Sequence, residues 1–161
     1  MVIRDEQTDD RGAIREVVEA AFRRKDEADL VDRLRNDGDG VISLVAVEDI
    51  EIVGHVLLSK MTAPFRALGL APVSVRPHRQ RSGIGSQLIR AALEQAKAQG
   101  WQAVFVLGDP RYYCRFGFAA ALASGFKSPY AGPYLMALIL GADLSVTEGS
   151  IDYAPAFAFL G

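Results

Sequence analysis

The chain of 161 residues has a single cysteine, Cys114, so no internal disulfide braces the fold and no cysteine-rich zinc centre can be assembled. Histidine is nearly as scarce. His55 and His78 stand apart, and no metal site is expected from them. No apolar run reaches the roughly 18 residues that a membrane span requires. The opening stretch, MVIRDEQTDDR, lacks the charged-then-apolar order of a secretion signal, so the expected location is the cytoplasm. Positive charge is not in excess either. The formal net charge is −2, and no global field points to nucleic acid.

What is present suits a soluble globular protein: 50% apolar and 24% charged residues, enough for one domain over residues 1–161 with one good core. MVIRDEQ reads as a short first strand, with Thr8 and Asp9 as candidate helix caps. Ile14, Val17, Val18, Ala21 and Phe22 have helical spacing, and Leu30, Val31 and Leu34 mark a second short helix that stops in the Asn36–Gly40 turn. The aspartate–glycine run in that turn lacks the acidic ladder and closing glutamate of a calcium loop. Two β-branched runs joined near Glu48 to Ile50 predict a hairpin, and ALGLAPVSV a further strand. Pro72 cannot donate to a ladder, which places that strand at an edge or makes it bulged or unpaired there. From Gly83 to Gln99 the stripe Ile84, Leu88, Ala92, Ala96 predicts a helix closed by Gly100. AVFVLG is a buried strand, Asp109-Pro110 caps a short helix, and YLMALIL is a later strand. The tail, IDYAPAFAFLG, is apolar without a clear period. This order is that of an α/β fold, in which ligands bind at strand carboxyl ends.

The informative stretch is VSVRPHRQRSGIGSQLI, where a strand, a cationic glycine loop and a helix follow one another. Glycines without a Cβ let ligand oxygens approach the backbone, and the unpaired N–H groups of a helix start favour an anion. Arg76, Arg79 and Arg81, with His78 among them, concentrate positive charge there in an acidic chain. The dinucleotide fingerprint fails, because Leu88 stands where its third glycine belongs, and the nucleoside-triphosphate loop lacks its lysine. A pyrophosphate remains the best match.

Gln80-Arg81-Ser82-Gly83-Ile84-Gly85 resembles the acyl-CoA signature Q/R-x-x-G-x-G/A of the GNAT N-acetyltransferase superfamily. APVSV resembles that family's strand for the pantetheine arm, and Tyr113-x-x-x-Gly117-Phe118 its Y-x-x-x-G-F segment. The order of elements agrees to about residue 140, and the tail is not covered. The resemblance implies a GNAT fold, a mixed central sheet flanked by helices and splayed beside the APVSV strand. It implies transfer of an acetyl group from acetyl-CoA to an amine-bearing acceptor, without nucleic acid or membrane as partner, and it allows a homodimer. The alternative is a GNAT fold that senses acyl-CoA without turnover.

Carried onto this chain, the resemblance assigns the main-chain N–H groups of Arg81, Ser82, Gly83, Ile84 and Gly85, with Gln80, to the pyrophosphate. Val73 and Val75 offer main-chain groups to the pantetheine arm. A main-chain N–H near Val73 or Ser74 polarises the thioester carbonyl. Tyr113 assists the leaving thiolate, with its neighbour Tyr112 as the fall-back. An acyl-enzyme on Cys114 is the rival route. Glu48, Glu51 and His55 border the implied acceptor cleft, and none is singled out as the base. Acceptor contacts are expected within residues 22–40 and 119–133. Phe126, Tyr130 and Tyr134 are candidates for an aromatic lining, and Asp26, Glu27 and Asp29 for steering a cationic amine.

Overall fold

The computed structural model describes residues 1–160. Its strands are β1 (Val2–Asp5), β2 (Gly40–Glu48), β3 (Glu51–Lys60), β4 (Ala67–Val75), β5 (Ala103–Leu107), β6 (Phe126–Lys127), β7 (Leu135–Ile139) and β8 (Gly149–Ser150). The helices are α1 (Arg11–Phe22), α2 (Asp26–Asn36), α3 (Ile84–Ala98), α4 (Pro110–Tyr113) and α5 (Ala120–Ala123), with 3-10 turns at Thr8–Asp10, Pro77–Arg79, Cys114–Phe116 and Pro155–Phe159. Six strands form one sheet in the order β1-β2-β3-β4-β5-β7. Every neighbouring pair is antiparallel except β4 with β5. This is the expected mixed α/β sheet. No described helix is long and apolar enough to cross a membrane.

Strand alternation sends successive side chains to opposite faces, and each face receives its own helices. The stripe Ile84, Leu88, Ala92, Ala96 of α3 is buried against Leu44, Val56, Leu58 and Val104. The other face carries Val45, Ile52 and Leu57, covered by Ile14, Val17 and Val18 of α1 and Leu30, Val31 and Leu34 of α2. The unpatterned tail completes this second layer: Ala154 and Ala156 join α2, and Ile151 joins Phe105, Phe126 and Leu135. Its apolar residues are spaced for a surface made by other elements, which is why no period shows.

One local expectation is corrected, and one set of alternatives is decided. Neither Thr8 nor Asp9 caps the first helix. Asp10 does the work at its start, accepting the Gln7 N–H at 2.7 Å and pairing with Arg4 at 2.7 Å, which holds its carboxyl below the usual range. Of the alternatives that Pro72 left open for β4, the edge is excluded, because the strand lies between β3 and β5. Pro72 is accommodated by a bulge: Val56 pairs with Val73 and Leu58 with Leu70, so Ala71 and Pro72 together face Leu57.

A polar seam crosses the α1–α2 layer. Arg35 grips Glu6 with contacts of 3.0 and 2.8 Å, and Ser43 Oγ donates to Glu6 at 2.8 Å. Ser43 has spent its one proton, so at 2.9 Å it accepts from His55, which puts the imidazole proton on Nε2. His55 is fully buried, and that burial pushes its pKa from the ordinary 6.5 down to about 4. The neutral ring therefore resists protonation that the unfolded chain accepts. Stability conferred by neutral His55 is present above pH 6.5 and is lost as pH falls toward 4, by about 3 kcal/mol at about 1.4 kcal/mol per pH unit. Urea unfolding across that interval should show this slope. His55→Gln should flatten it, whatever its effect on absolute stability.

Candidate functional site

The site begins where two strands part. β4 and β5 pair only through Ala67–Ala103, Leu68–Val104 and Gly69–Phe105. Beyond Gly69, β4 stays with β3 while β5 continues beside β7 to Leu107. The β4 edge from Leu70 to Val75 is therefore unpaired on its β5 side. Its polarity follows from alternation. Arg76 N–H donates to Val53 O at 2.8 Å, so the Arg76–Val53 pair is hydrogen-bonded, as is Ser74–His55 two residues back. Val73 and Val75, between them, turn their main-chain groups into the opening. Val75 O is taken by Gln80 Nε2 at 3.0 Å, leaving the N–H groups of Val73 and Val75 and the Val73 carbonyl.

Ser74 differs from its neighbours. Its main chain faces β3, and its hydroxyl is buried on the α1–α2 face with no protein partner among the described residues. Of the two N–H groups considered for polarising a carbonyl in the opening, only that of Val73 is turned the right way.

The glycine loop closes one end of the opening. After the 3-10 turn, Arg81 and Gly83 adopt left-handed φ of +62° and +87°, a conformation that glycine enters without penalty. The first bond of α3 runs from Gln87 N–H to Gly83 O at 3.0 Å. The N–H groups of Ile84, Gly85 and Ser86 precede it and have no carbonyl a turn behind them. Together they face a cleft of about 390 Å³ lined by Val75, Gln80, Arg81, Gly85, Tyr112 and Arg115. Ile84 contributes only its main chain, since its side chain is core. Ser82 points elsewhere, its hydroxyl bonded to Arg79 O.

The basic cluster is divided. Arg79 is paired with Glu48, 2.7 Å from Nε to Oε1, and Arg76 with Glu51 at 3.0 Å. These two arginines tie the loop to the β2–β3 hairpin rather than adding free charge. Among the described residues Arg81 has no carboxylate partner. Nor has Arg115, which sequence reading missed: its guanidinium lies 4.4 Å over the Tyr112 ring while Nε bonds Tyr112 O at 2.8 Å. Only its place two residues after Tyr113 hinted at it.

Asp109 accepts Arg111 N–H at 2.9 Å with Pro110 at the first helical position, and this cap aims both tyrosines. Tyr112 OH lies 3.2 Å from Ser86 Oγ at the start of α3. The Tyr113 ring stands 5.0 Å away, nearly perpendicular, packed on Phe118 and over Gly108, where a Cβ would come within 2.5 Å of it. Burial pushes the Tyr113 hydroxyl up to about 12, and no hydrogen bond joins it to another group among the described residues. Cys114 is exposed, its thiol 3.6 Å from Arg111 O.

The three residues considered as bases are otherwise engaged. The Arg79 hydrogen bonds hold Glu48 below its usual range, Glu51 meets Arg76, and His55 is shut in the polar seam. The acidic run is equally occupied: Asp26 and Glu27 by Arg24, and Asp29 by Arg15. Phe126 is core, packed edge-on against Phe65 and Phe105, whereas Tyr130 and Tyr134 line cavities near the end of β5.

Residues 7–118, the span from the first turn through the Tyr113 segment, match the model of the acetyltransferase (GNAT) family. The chain belongs to the GNAT family. Among curated relatives, the Escherichia coli uncharacterized N-acetyltransferase YjhQ is 38% identical over 77% of this chain and 73% of its own. YhbS of the same organism is 33% identical over 82% and 81%. Two solved GNAT structures superpose over nearly the whole chain. One is YhbS in complex with CoA, with TM-score 0.92, 30% identity and coverage of 99% and 93%. The other is a Brucella melitensis acetyltransferase in complex with acetyl-CoA, with TM-score 0.82, 38% identity and 97% of each chain. These superpositions include the tail, for which the sequence carried no motif.

The raised Tyr113 hydroxyl has an alkaline signature. Folded Tyr113 keeps its proton to about pH 12, while the unfolded chain releases it near pH 10. The stability it contributes is intact below pH 10 and is lost as pH rises toward 12. Between about pH 9.5 and 11, the urea midpoint of Tyr113→Phe should fall less steeply than that of the wild type.

Proposed function

We propose that this chain transfers an acetyl group from acetyl-CoA to a primary amine by direct attack within a ternary complex. The observation that carries this reading is the continuity of the opening: an anion cradle at one end, free strand groups along it, and an unpartnered tyrosine hydroxyl near the other. The CoA and acetyl-CoA complexes of the two similar structures support the donor.

In this reading the N–H groups of Ile84, Gly85 and Ser86, with Arg81 and Arg115, hold the pyrophosphate. Val73 and Val75 hold the pantetheine arm as an added strand would be held. The Val73 N–H meets the carbonyl oxygen as charge builds on it. The amine arrives uncharged, its nitrogen forms the new C–N bond, the C–S bond breaks, and the proton that this nitrogen gives up passes through solvent to the departing thiolate. Tyr113 then donates a hydrogen bond to the departing sulfur and keeps its proton. Full transfer from a group near 12 to a thiolate with a pKa of roughly 8.5 would be uphill by about 5 kcal/mol. The thiol of Cys114, bonded outward to Arg111 O, lines none of the clefts described and supports no acyl-enzyme. A purely sensing role would need no free hydroxyl at that point.

Two measurements test this. Acetyl-CoA at about a hundredfold excess over its dissociation constant should stabilise the fold by about 2.7 kcal/mol. Arg81→Ala and Arg115→Ala should each weaken its binding about tenfold, and Arg76→Ala by less than about twofold, because only the first two lack a carboxylate partner. Thiol release with a panel of amines should fall about a hundredfold in kcat for Tyr113→Phe, with acetyl-CoA affinity retained. Unchanged turnover would remove Tyr113 from the mechanism. Binding without turnover on any amine would favour the sensor.

A further inference from the structure

The opening between β4 and β5 has a second mouth. On the face opposite α3 lies a cavity of about 230 Å³ bounded by Leu70, Ala71, Leu107, Tyr130, Tyr153 and Phe157. Leu70 and Ala71 are the first β4 residues past the last β4–β5 pair, and Leu107 ends β5, so this cavity meets the strand opening from the tail side. The tail supplies its outer wall. Tyr153 lies across Gly69, where a Cβ would come within 2.5 Å of its ring. It packs edge-on to Tyr130 at 5.7 Å and tilted against Phe157 at 5.1 Å. Its ring is thus fixed from three sides. Its hydroxyl is closed off from solvent and has no protein partner among the described residues. A buried hydroxyl without a partner is costly, and a rigid wall holding one beside an opening is how a ligand's polar atom is met. Leu107 in the cavity wall is followed by Gly108, against which the Tyr113 ring packs, so Tyr113, which meets the leaving sulfur in the proposed reaction, stands at the β5 end of the same opening.

The chemistry of the lining narrows what enters. Among the described residues no charged side chain borders the cavity, whose wall also includes Leu160. The nearby acids of α2 are held by Arg15 and Arg24. A second ammonium on the acceptor would be buried without a counter-charge, at a cost that excludes polyamines and aminoglycoside-like cations. The wall is aromatic and aliphatic. A cavity of about 150 Å³ accepts a benzene ring, so this one has room for a ring and a short chain.

We propose that the acceptor is an arylalkyl monoamine whose ring fills this cavity, and that the Tyr153 hydroxyl accepts an N–H of its uncharged amine. Tyr153 is then an acceptor-binding residue and the tail a specificity element. The proposal rests on the acetyltransferase reading for the direction in which the amine faces.

The test uses the full chain, saturating acetyl-CoA, and 2-phenylethylamine, spermidine and a lysine-bearing peptide as acceptors. A direct binding measurement of 2-phenylethylamine to the CoA-loaded protein runs beside it. The expected result is kcat/KM for 2-phenylethylamine at least about tenfold above the other two. Tyr153→Phe should raise its KM about tenfold with acetyl-CoA affinity unchanged, as expected when one buried hydrogen bond is lost. Leu107→Trp, which fills the cavity from a half-exposed position, should abolish 2-phenylethylamine binding while acetyl-CoA still binds. Equal or better turnover of spermidine or peptide, or a Tyr153→Phe variant with wild-type KM, overturns this inference and leaves the acetyltransferase reading standing. Binding of 2-phenylethylamine that Leu107→Trp abolishes, without turnover of any amine, does the reverse.

Discussion

The molecule is organised around one interruption, the loss of pairing between β4 and β5 after Gly69 and Phe105. Buried backbone groups are almost always paired, and a central pair of strands is where an unpaired edge is least expected. Here the interruption follows from the partners on either side. β4 is drawn along β3 through a bulge at Ala71 and Pro72, and β5 is drawn along β7. Each keeps its outer neighbour, and the seam between them opens. The donors left at Val73 and Val75 then need a ligand with complementary amide groups, which the pantetheine arm of the proposed donor would supply.

The rest of the architecture serves that opening from two sides. On the α3 face, the helix start and the tyrosine pair of α4 bound the cradle. On the opposite face, the tail brings Tyr153 and Phe157 over the same strand ends. The charges are distributed by the same logic. Arg76 and Arg79 are consumed in fastening the loop to the hairpin, so it is held before any anion arrives. Arg81 and Arg115 remain without a carboxylate partner among the described residues and line the cleft. The polar seam of Arg35, Glu6, Ser43 and His55 lies away from the opening and secures β1 and α2 to the sheet.

Much of the donor side was legible in the residues. The glycine loop, the α3 stripe, the Asp109-Pro110 cap and the Tyr113 segment are local: each is written in neighbouring positions and depends on backbone geometry within a few residues. The α/β order and the family resemblance followed from them. The cavity on the tail side was legible only at Tyr130. Tyr153 belongs to a stretch with no period because its partners, Gly69, Tyr130 and Phe157, come from three separate places in the chain. Arg115 comes to line the cleft only when the turn after α4 is set beside the start of α3. The acidic run of α2 looked available until Arg15 and Arg24 were seen to hold it. Pro72 showed that β4 is irregular and left an edge and a bulge open, because either satisfies the same missing N–H; the pairing with β3 decides for the bulge.

By itself, then, the sequence determined the kind of backbone this chain builds and the class of anion its loop suits, since helix caps, glycine turns and hydrophobic periods act over short range. The tertiary structure decided which arginines stay free, which main-chain groups of β4 face the opening, and what walls the cavity beneath it. Those properties depend on pairings between residues far apart in the chain, and a pairing is visible only once both partners are in place.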